Sequence, residues 1–217
     1  MPGLAAAGAD AQKKTVAAAE RDEAARAAWR TETAALAPAD LVFFDETGTH
    51  TAMTRTRARA PRGQRAPGVA PRNRGPNVTL LATLTPGGMG PALRIPGATT
   101  RPVFDGFVER FLVPALRPGQ TVVLDNLAVH KSARARELIE AAGCRVHFLP
   151  PYSPDFNPIE LLFSPIKGRL RAAAARTPDD LLAAVAAALA AVTPDHARAC
   201  YAHCGYPVPD QCKRNAL

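Results

Sequence analysis

The sequence predicts a mixed α/β fold, a five-stranded sheet flanked by helices, and three features of the 217-residue chain predict it. Short apolar runs at 41–44 (LVFF), 122–124 (VVL) and 146–149 (VHFL) are bounded by turn formers or charges, the pattern of buried strands. The last two are joined by a polar, helix-length segment, which makes a β-α-β unit with parallel pairing. The run VTLLATL at 78–84, the turn TPGGMG and the run at 92–95 form a hairpin.

Taken in order, residues 1–12 are Ala/Gly-rich and expected to be disordered. Residues 13–36 are rich in helix formers, with Val16, Trp29 and Leu36 the bulky members of an alanine-rich face. The sequence leaves open whether that helix packs on the main body, on a partner subunit or on DNA. Residues 1–40 thus read as a disordered start and helical arm, 41–192 as the core unit, and 193–217 as a terminal helix and tail.

The apolar run at 41–44 ends in Asp45 and Glu46, as the run at 122–124 ends in Asp125. Neighbouring strand residues face opposite ways, so only one of Asp45 and Glu46 shares a face with Asp125. Asp45 is chosen because it follows its run directly. A strand at 50–54 is expected to lead into a long basic loop. Between Arg55 and Arg74 lie seven arginines, Arg55, Arg57, Arg59, Arg62 and Arg65 among them, interspersed with Pro and Gly and without an acid. Such a run repels itself unless an anion is present, so a phosphate-contacting loop is expected rather than a merely solvated one.

Phe104, Phe107, Val108, Phe111 and Leu112 recur at helical spacing and read as one core stripe. Ser132 is a helix N-cap and Gly143 the stop of a helix over 133–142. After 146–149 comes the stiff loop PPYSP, then Asn157 as N-cap, Pro158 at the first helical position and Glu160 at the third. That helix is expected to run through Lys167 and Arg169 to about residue 176, with a kink or break near Pro165. Thr177 and Thr193 start two further helices.

The net charge of +8 favours a polyanionic partner. No run of about 18 apolar residues is present, so no membrane span is expected. The first lysines follow a weakly apolar stretch, the wrong order for a signal peptide, and a cytoplasmic location is expected. Cys200, His203, Cys204 and Cys212 carry zinc-ligating chemistry, but their spacing matches no common zinc pattern, and reduced thiols are expected.

Asp125 and Glu160 are separated by thirty-four residues, and with Asp45 each stands where an element leaves or enters the core. Each alone has a structural role open to it: Glu160 as half of a capping box, Asp45 and Asp125 as caps of the turns that follow them. Brought together they would repel, and hard divalent cations resolve that repulsion. Two such ions about 3.5–4 Å apart serve an in-line phosphoryl displacement. A basic chain with such a site suggests phosphodiester chemistry on nucleic acid. Lys131, Lys167 and Arg169 are further candidates for DNA contact and Asn126 for the site, while His130 reads equally as a contact to phosphate or metal and as an ordinary capping or surface group of its turn.

The segments FFDETG (43–48), LVPALRPGQTVVLDNLAVHKS (112–132) and LPPYSPDFNPIE (149–160) closely resemble DDE transposases of bacterial insertion sequences in the mariner-like superfamily. The resemblance runs over about 13–206 and implies a ribonuclease-H-like fold with Asp45, Asp125 and Glu160 as a triad holding two Mg²⁺ or Mn²⁺ ions. It also implies cutting at element ends by water, then attack of the freed 3′-hydroxyl on target DNA at TA dinucleotides. Partners so implied are element-end and target DNA, a second copy in a homodimer, and a helix-turn-helix half, separate or fused by frameshift; the location would be cytoplasmic and nucleoid-associated. A hydrolysis-only nuclease of the same fold and a non-catalytic DNA-binding remnant are the competing readings.

Overall fold

The computed structural model describes residues 18–209. Five strands, β1 (Leu41–Thr49), β2 (Val78–Thr85), β3 (Gly88–Pro96), β4 (Thr121–Leu124) and β5 (Arg145–Phe148), form one mixed sheet. Their order is β3-β2-β1-β4-β5, antiparallel on the β3 side of β1 and parallel on the β5 side. Among the described residues six α-helices cover it: α1 (Glu23–Ala34), α2 (Arg101–Phe107), α3 (Ala133–Ala141), α4 (Pro158–Ala173), α5 (Pro178–Ala190) and α6 (Pro194–His203). The mixed five-stranded sheet expected from the sequence is therefore present.

Strand alternation divides the core into two layers. Leu41, Phe43 and Val123 point to one face, where they meet Trp29 of α1 and the apolar stripes of α4, α5 and α6. Val42, Phe44, Val122 and Leu124 point to the other, against α2 and α3. Parity then puts Asp45 and Asp125 on the Phe43 and Val123 face, the side α4 covers.

Several boundaries differ from expectation. β1 does not end before Asp45 but runs on to Thr49, because its antiparallel pairing with β2 continues from Phe43↔Leu84 to Thr49↔Val78. Asp45 is an exit residue only with respect to the parallel partner: the pairing Phe43↔Val123, continued by two residues, sets Asp45 opposite Asp125. Residues 50–54 form a turn rather than a strand, and Arg176 donates to the carbonyls of Thr51 and Met53 at 2.9 and 3.0 Å where a strand neighbour would have done so. The stripe after α2 breaks at Phe111, which is exposed because a wider turn over Val108–Leu112 shifts it to the rim of the core, where its ring still stacks on Phe107. α4 runs unbroken through Pro165 and stops at Ala173, where Ala174 takes a left-handed conformation. Pro165 and Leu161 are both exposed, so the carbonyl that Pro165 leaves without a donor lies on an outer surface.

The helix expected over 13–36 begins only at Glu23, because the Asp22 side chain accepts from the Ala25 N–H and caps it. The part of that expectation over 13–17, like the disordered start at 1–12 and Cys212, lies outside the described residues. α1 packs on the sheet: Trp29 is 3% exposed, stacks on His147 of β5 and donates to the Tyr206 hydroxyl at 2.9 Å. At the other end of the chain, Tyr201 of α6 donates to the carbonyls of Leu41 and Leu84. No single helix among the described residues is long and apolar enough to cross a membrane.

Trp29→Ala should cost about 3–5 kcal/mol, the range for emptying a buried aromatic site. Urea unfolding checks this; a loss under about 1 kcal/mol, the scale of a surface change, would make α1 a detachable arm.

Candidate active site

Asp45, Asp125 and Glu160 line one cavity of about 470 Å³, with Asn126, Asn157 and the proline-rich loop 149–154 completing its wall. A larger cavity of about 550 Å³ opens near the β2–β3 turn, but no acidic residue lines it, so the chemistry belongs to the first. The three carboxylates reach the site by different routes. Asp45 comes from within β1, Asp125 from the first residue after β4, and Glu160 from the first turn of α4. Glu160 stands in the first turn of α4, at the positive end of the helix, where negative charge is favourable.

Asp45 is 6% exposed. Its Oδ1 accepts from the Glu46 N–H at 2.7 Å and its Oδ2 from Asn157 Nδ2 at 2.9 Å. Burial and then the charge of Glu160 push its pKa up to about 8, with Asp125 adding to the shift and the Glu46 N–H opposing it. When protonated, Asp45 hydrogen-bonds Glu160. Glu46 faces the other way and accepts from the Thr99 hydroxyl, so of the two neighbouring acids only Asp45 lines the cavity.

Asp125 is held differently. Its Oδ1 accepts from the Leu127 N–H at 3.0 Å, closing the turn after β4, and pairs with His130 Nδ1. Burial pulls the Asp125 pKa upward, but His130, the Leu127 N–H and Lys131 outweigh it and hold the carboxyl below its usual range. His130 itself is 1% exposed, with its ring against Phe44 and Phe104. It stands behind Asp125 as an orienting group and does not reach toward a substrate. Asn126 likewise turns inward and donates to the Leu149 carbonyl, tying the end of β4 to the end of β5.

The loop after β5 is pinned from α1. The Arg26 side chain is fully buried and makes a bidentate pair with Asp155, at 2.6 and 3.0 Å, while its guanidinium lies 4.0 Å over the Phe156 ring. The Tyr206 hydroxyl donates to the Phe156 carbonyl at 2.9 Å. These contacts fix the residues just before Asn157 and Glu160. Neither Arg26 nor Tyr206 is marked by its sequence neighbours; their partners lie 129 and 50 residues away.

Among the described residues no three His, Cys, Asp or Glu side chains stand in ready-made ligating geometry, and the triad is gathered without yet being closed. Asp125 turns one oxygen to His130, and Asp45 and Glu160 share a hydrogen bond when a proton is present. The donor set still fits a hard divalent cation: carboxylate oxygens converge on a cavity in which a buried acid is held protonated for want of positive charge. In the cysteine cluster, burial, then Cys200 and Asp155, push the Cys204 thiol up to about 12, and Cys212 lies outside the described residues.

The basic candidates differ in where the fold places them. Arg55, Arg57, Arg59, Arg62 and Arg65 are exposed in the irregular stretch after β1, and Lys131 is exposed beside His130. Lys167 lies seven residues beyond Glu160, on the same face of α4 at about 100° per residue. Arg169 lies on the opposite face and lines the groove between α4, α5 and α6. Arg171 returns to the Glu160 face and, with Arg74, approaches His50; burial and then these two charges hold His50 below its ordinary pKa. The same helical periodicity, counted from Glu160, would have favoured Arg171 over Arg169 from sequence.

A family model described as DDE superfamily endonuclease matches residues 40–182. The fold matches a Mos1 transposase paired-end complex with left transposon end, at TM-score 0.68 and 19% identity, over 93% of this chain and 68% of that one. It also matches the Mos1 strand transfer complex, at TM-score 0.68 and 17% identity, over 91% of this chain and 63% of that one. The Mos1 catalytic domain with raltegravir and Mg matches at TM-score 0.60 and 12% identity, over 86% and 87%. This chain thus spans about two thirds of the longer Mos1 chains. No curated protein matches the sequence.

In chelator, stability should fall as pH rises from about 4 to about 8, because the raised Asp45 pKa stabilises the fold only while that carboxyl holds its proton. Asp125 has the opposite sign and acts only below the ordinary carboxylate range, so the two windows do not overlap. Asp45→Asn should flatten the slope between pH 4 and 8, as measured by urea midpoints; an unchanged slope would show that Asp45 is not the buried acid.

Proposed function

This chain belongs to the DDE superfamily of endonucleases, and from that premise we propose that it is the catalytic domain of a DNA transposase. It would cut DNA strands and join a freed 3′-hydroxyl to a second DNA. The observation that carries this reading is the convergence of Asp45, Asp125 and Glu160 on one cavity. The fold likeness to Mos1 transposase supports it, as does the cationic stretch over 55–74.

Asp45, Asp125 and Glu160 would together hold two divalent cations, Mg²⁺ or Mn²⁺. Bound there, such ions activate an attacking oxygen and neutralise the charge that develops on the leaving oxygen. The remaining work falls to this chain's own side chains. His130 holds Asp125 in one orientation, and its imidazole donates to the carboxylate without adding to the negative charge. Arg26 and Tyr206 fix the loop that presents Glu160, which keeps the third carboxylate in reach of the other two. The buried floor formed by Asp45 and Asn157 restricts water at that end of the cavity. Arg55, Arg57, Arg59, Arg62, Arg65, Lys131 and Lys167 would contact the phosphates of element-end and target DNA. A second copy and a helix-turn-helix half would complete the assembly.

Incubating the chain and Mn²⁺ with an element end and a supercoiled target should give joined DNA, and Asp125→Asn should lower the yield at least about 100-fold. Cut ends without joined DNA would favour a hydrolysis-only nuclease. Bound but intact DNA, with no rise in melting temperature on adding Mn²⁺, would favour a non-catalytic DNA-binding protein.

Replacing Arg55, Arg57 and Arg59 with alanine should reduce the slope of log affinity against log salt by about 0.9 for each phosphate no longer neutralised. An unchanged slope in a fluorescence-anisotropy titration would remove the loop from the DNA interface.

A further inference from the structure

Asn157 directly precedes α4, where its residue type makes it an N-cap. Its side chain does not cap, for no backbone N–H of the helix donates to it. The amide crosses instead to β1, where Nδ2 donates to Asp45 Oδ2 in a buried bond. The residue is 2% exposed, and its other end, Oδ1, is buried without a donor. A buried acceptor left unpaired is unfavourable, and a helix N–H was within one turn of it. An asparagine that forgoes that partner is held in place by something else, and it lines the cavity of the three carboxylates.

We propose that Asn157 is a positioning residue of the cation site: Nδ2 fixes the Asp45 carboxylate, and Oδ1 accepts a hydrogen bond from a water of the bound cation. The inference rests on the reading of this cavity as a divalent-cation site. Mg²⁺ keeps several of its waters when protein carboxylates bind it, and those waters need acceptors. A neutral amide supplies one without placing a fourth negative charge among three. It also supplies a donor that steadies Asp45 in its charged form. Aspartate at 157 would cap α4 equally well but would add a fourth acid beside Asp125 and Glu160, and it has no N–H to offer Asp45 Oδ2. Serine would also cap α4 but is too short to span the gap to Asp45 Oδ2.

Helix capping and site positioning therefore make opposite forecasts for the same two variants. Metal-free parent, Asn157→Ser and Asn157→Asp proteins are titrated with Mn²⁺, free ion being followed by electron paramagnetic resonance. Their melting temperatures are recorded in chelator, and helix content by circular dichroism. Asn157→Ser should keep its helix content and lose at least about 10-fold in Mn²⁺ affinity, the usual effect of removing an orienting partner of a metal ligand. Asn157→Asp should melt below the parent in chelator. Parent-like Mn²⁺ affinity in Asn157→Ser, or an Asn157→Asp protein that melts at or above the parent in chelator, overturns the proposal. If the parent itself takes up no Mn²⁺, the cation-site reading fails and this inference with it. If the parent binds and both variants match it, only the role of Asn157 fails.

Discussion

Like charges crowded on one side of the sheet are the constraint that the surrounding structure answers. Asp45 is buried in β1, opposite Asp125 in the extended register and within a hydrogen bond of Glu160. No folding force brings carboxylates together for its own sake, so each must be delivered by something stronger. For Asp45 and Asp125 that force is backbone pairing, since β1 and β4 cannot pair in register without setting the two acids side by side. For Glu160 it is the burial of Ile159, Leu162, Phe163 and Ile166, which presses α4 onto the same face of the sheet. Large apolar areas hold in place a cluster that electrostatics alone would scatter.

The two aspartates are tuned in opposite directions by their neighbours. Asp125 has a histidine, a backbone N–H and a nearby lysine, and its carboxyl is charged. Asp45 has one backbone N–H and one amide against a deeper burial and a facing glutamate, and it retains a proton well above the ordinary range. The site is therefore short of positive charge on the Asp45 side. This asymmetry marks where added positive charge would have the largest effect on stability. Around it, Arg26, Asp155 and Phe156 turn α1 into a brace for the loop that carries Asn157 and Glu160.

Much of this is legible in the sequence, because the strongest signals are local. An apolar run that ends in an acid marks a strand and its carboxylate within six residues, and Asn-Pro followed by Glu marks a helix start within four. The β-α-β unit from 121 to 148 needs only periodicity and its cap and stop residues. What cannot be read depends on partners far along the chain. β1 continues past Asp45 only because β2 pairs with it, and Asn157 abandons its cap for a carboxylate 112 residues away. Arg26 lies in an alanine-rich helix, yet its side chain is fully buried because its partner, Asp155, is 129 residues further along the chain. Phe111 leaves the core stripe because one wide turn changes the helical period, which no residue there announces.

The most direct measurement is the anomalous scattering of crystals grown with Mn²⁺, recorded on both sides of the manganese absorption edge. A peak is expected inside the cavity bounded by Asp45, Asp125 and Glu160, with carboxylate oxygens of at least two of them about 2.0–2.3 Å from it. A cavity without manganese at saturating concentration, or manganese bound only elsewhere on the chain, would contradict the placement of a cation among these three acids.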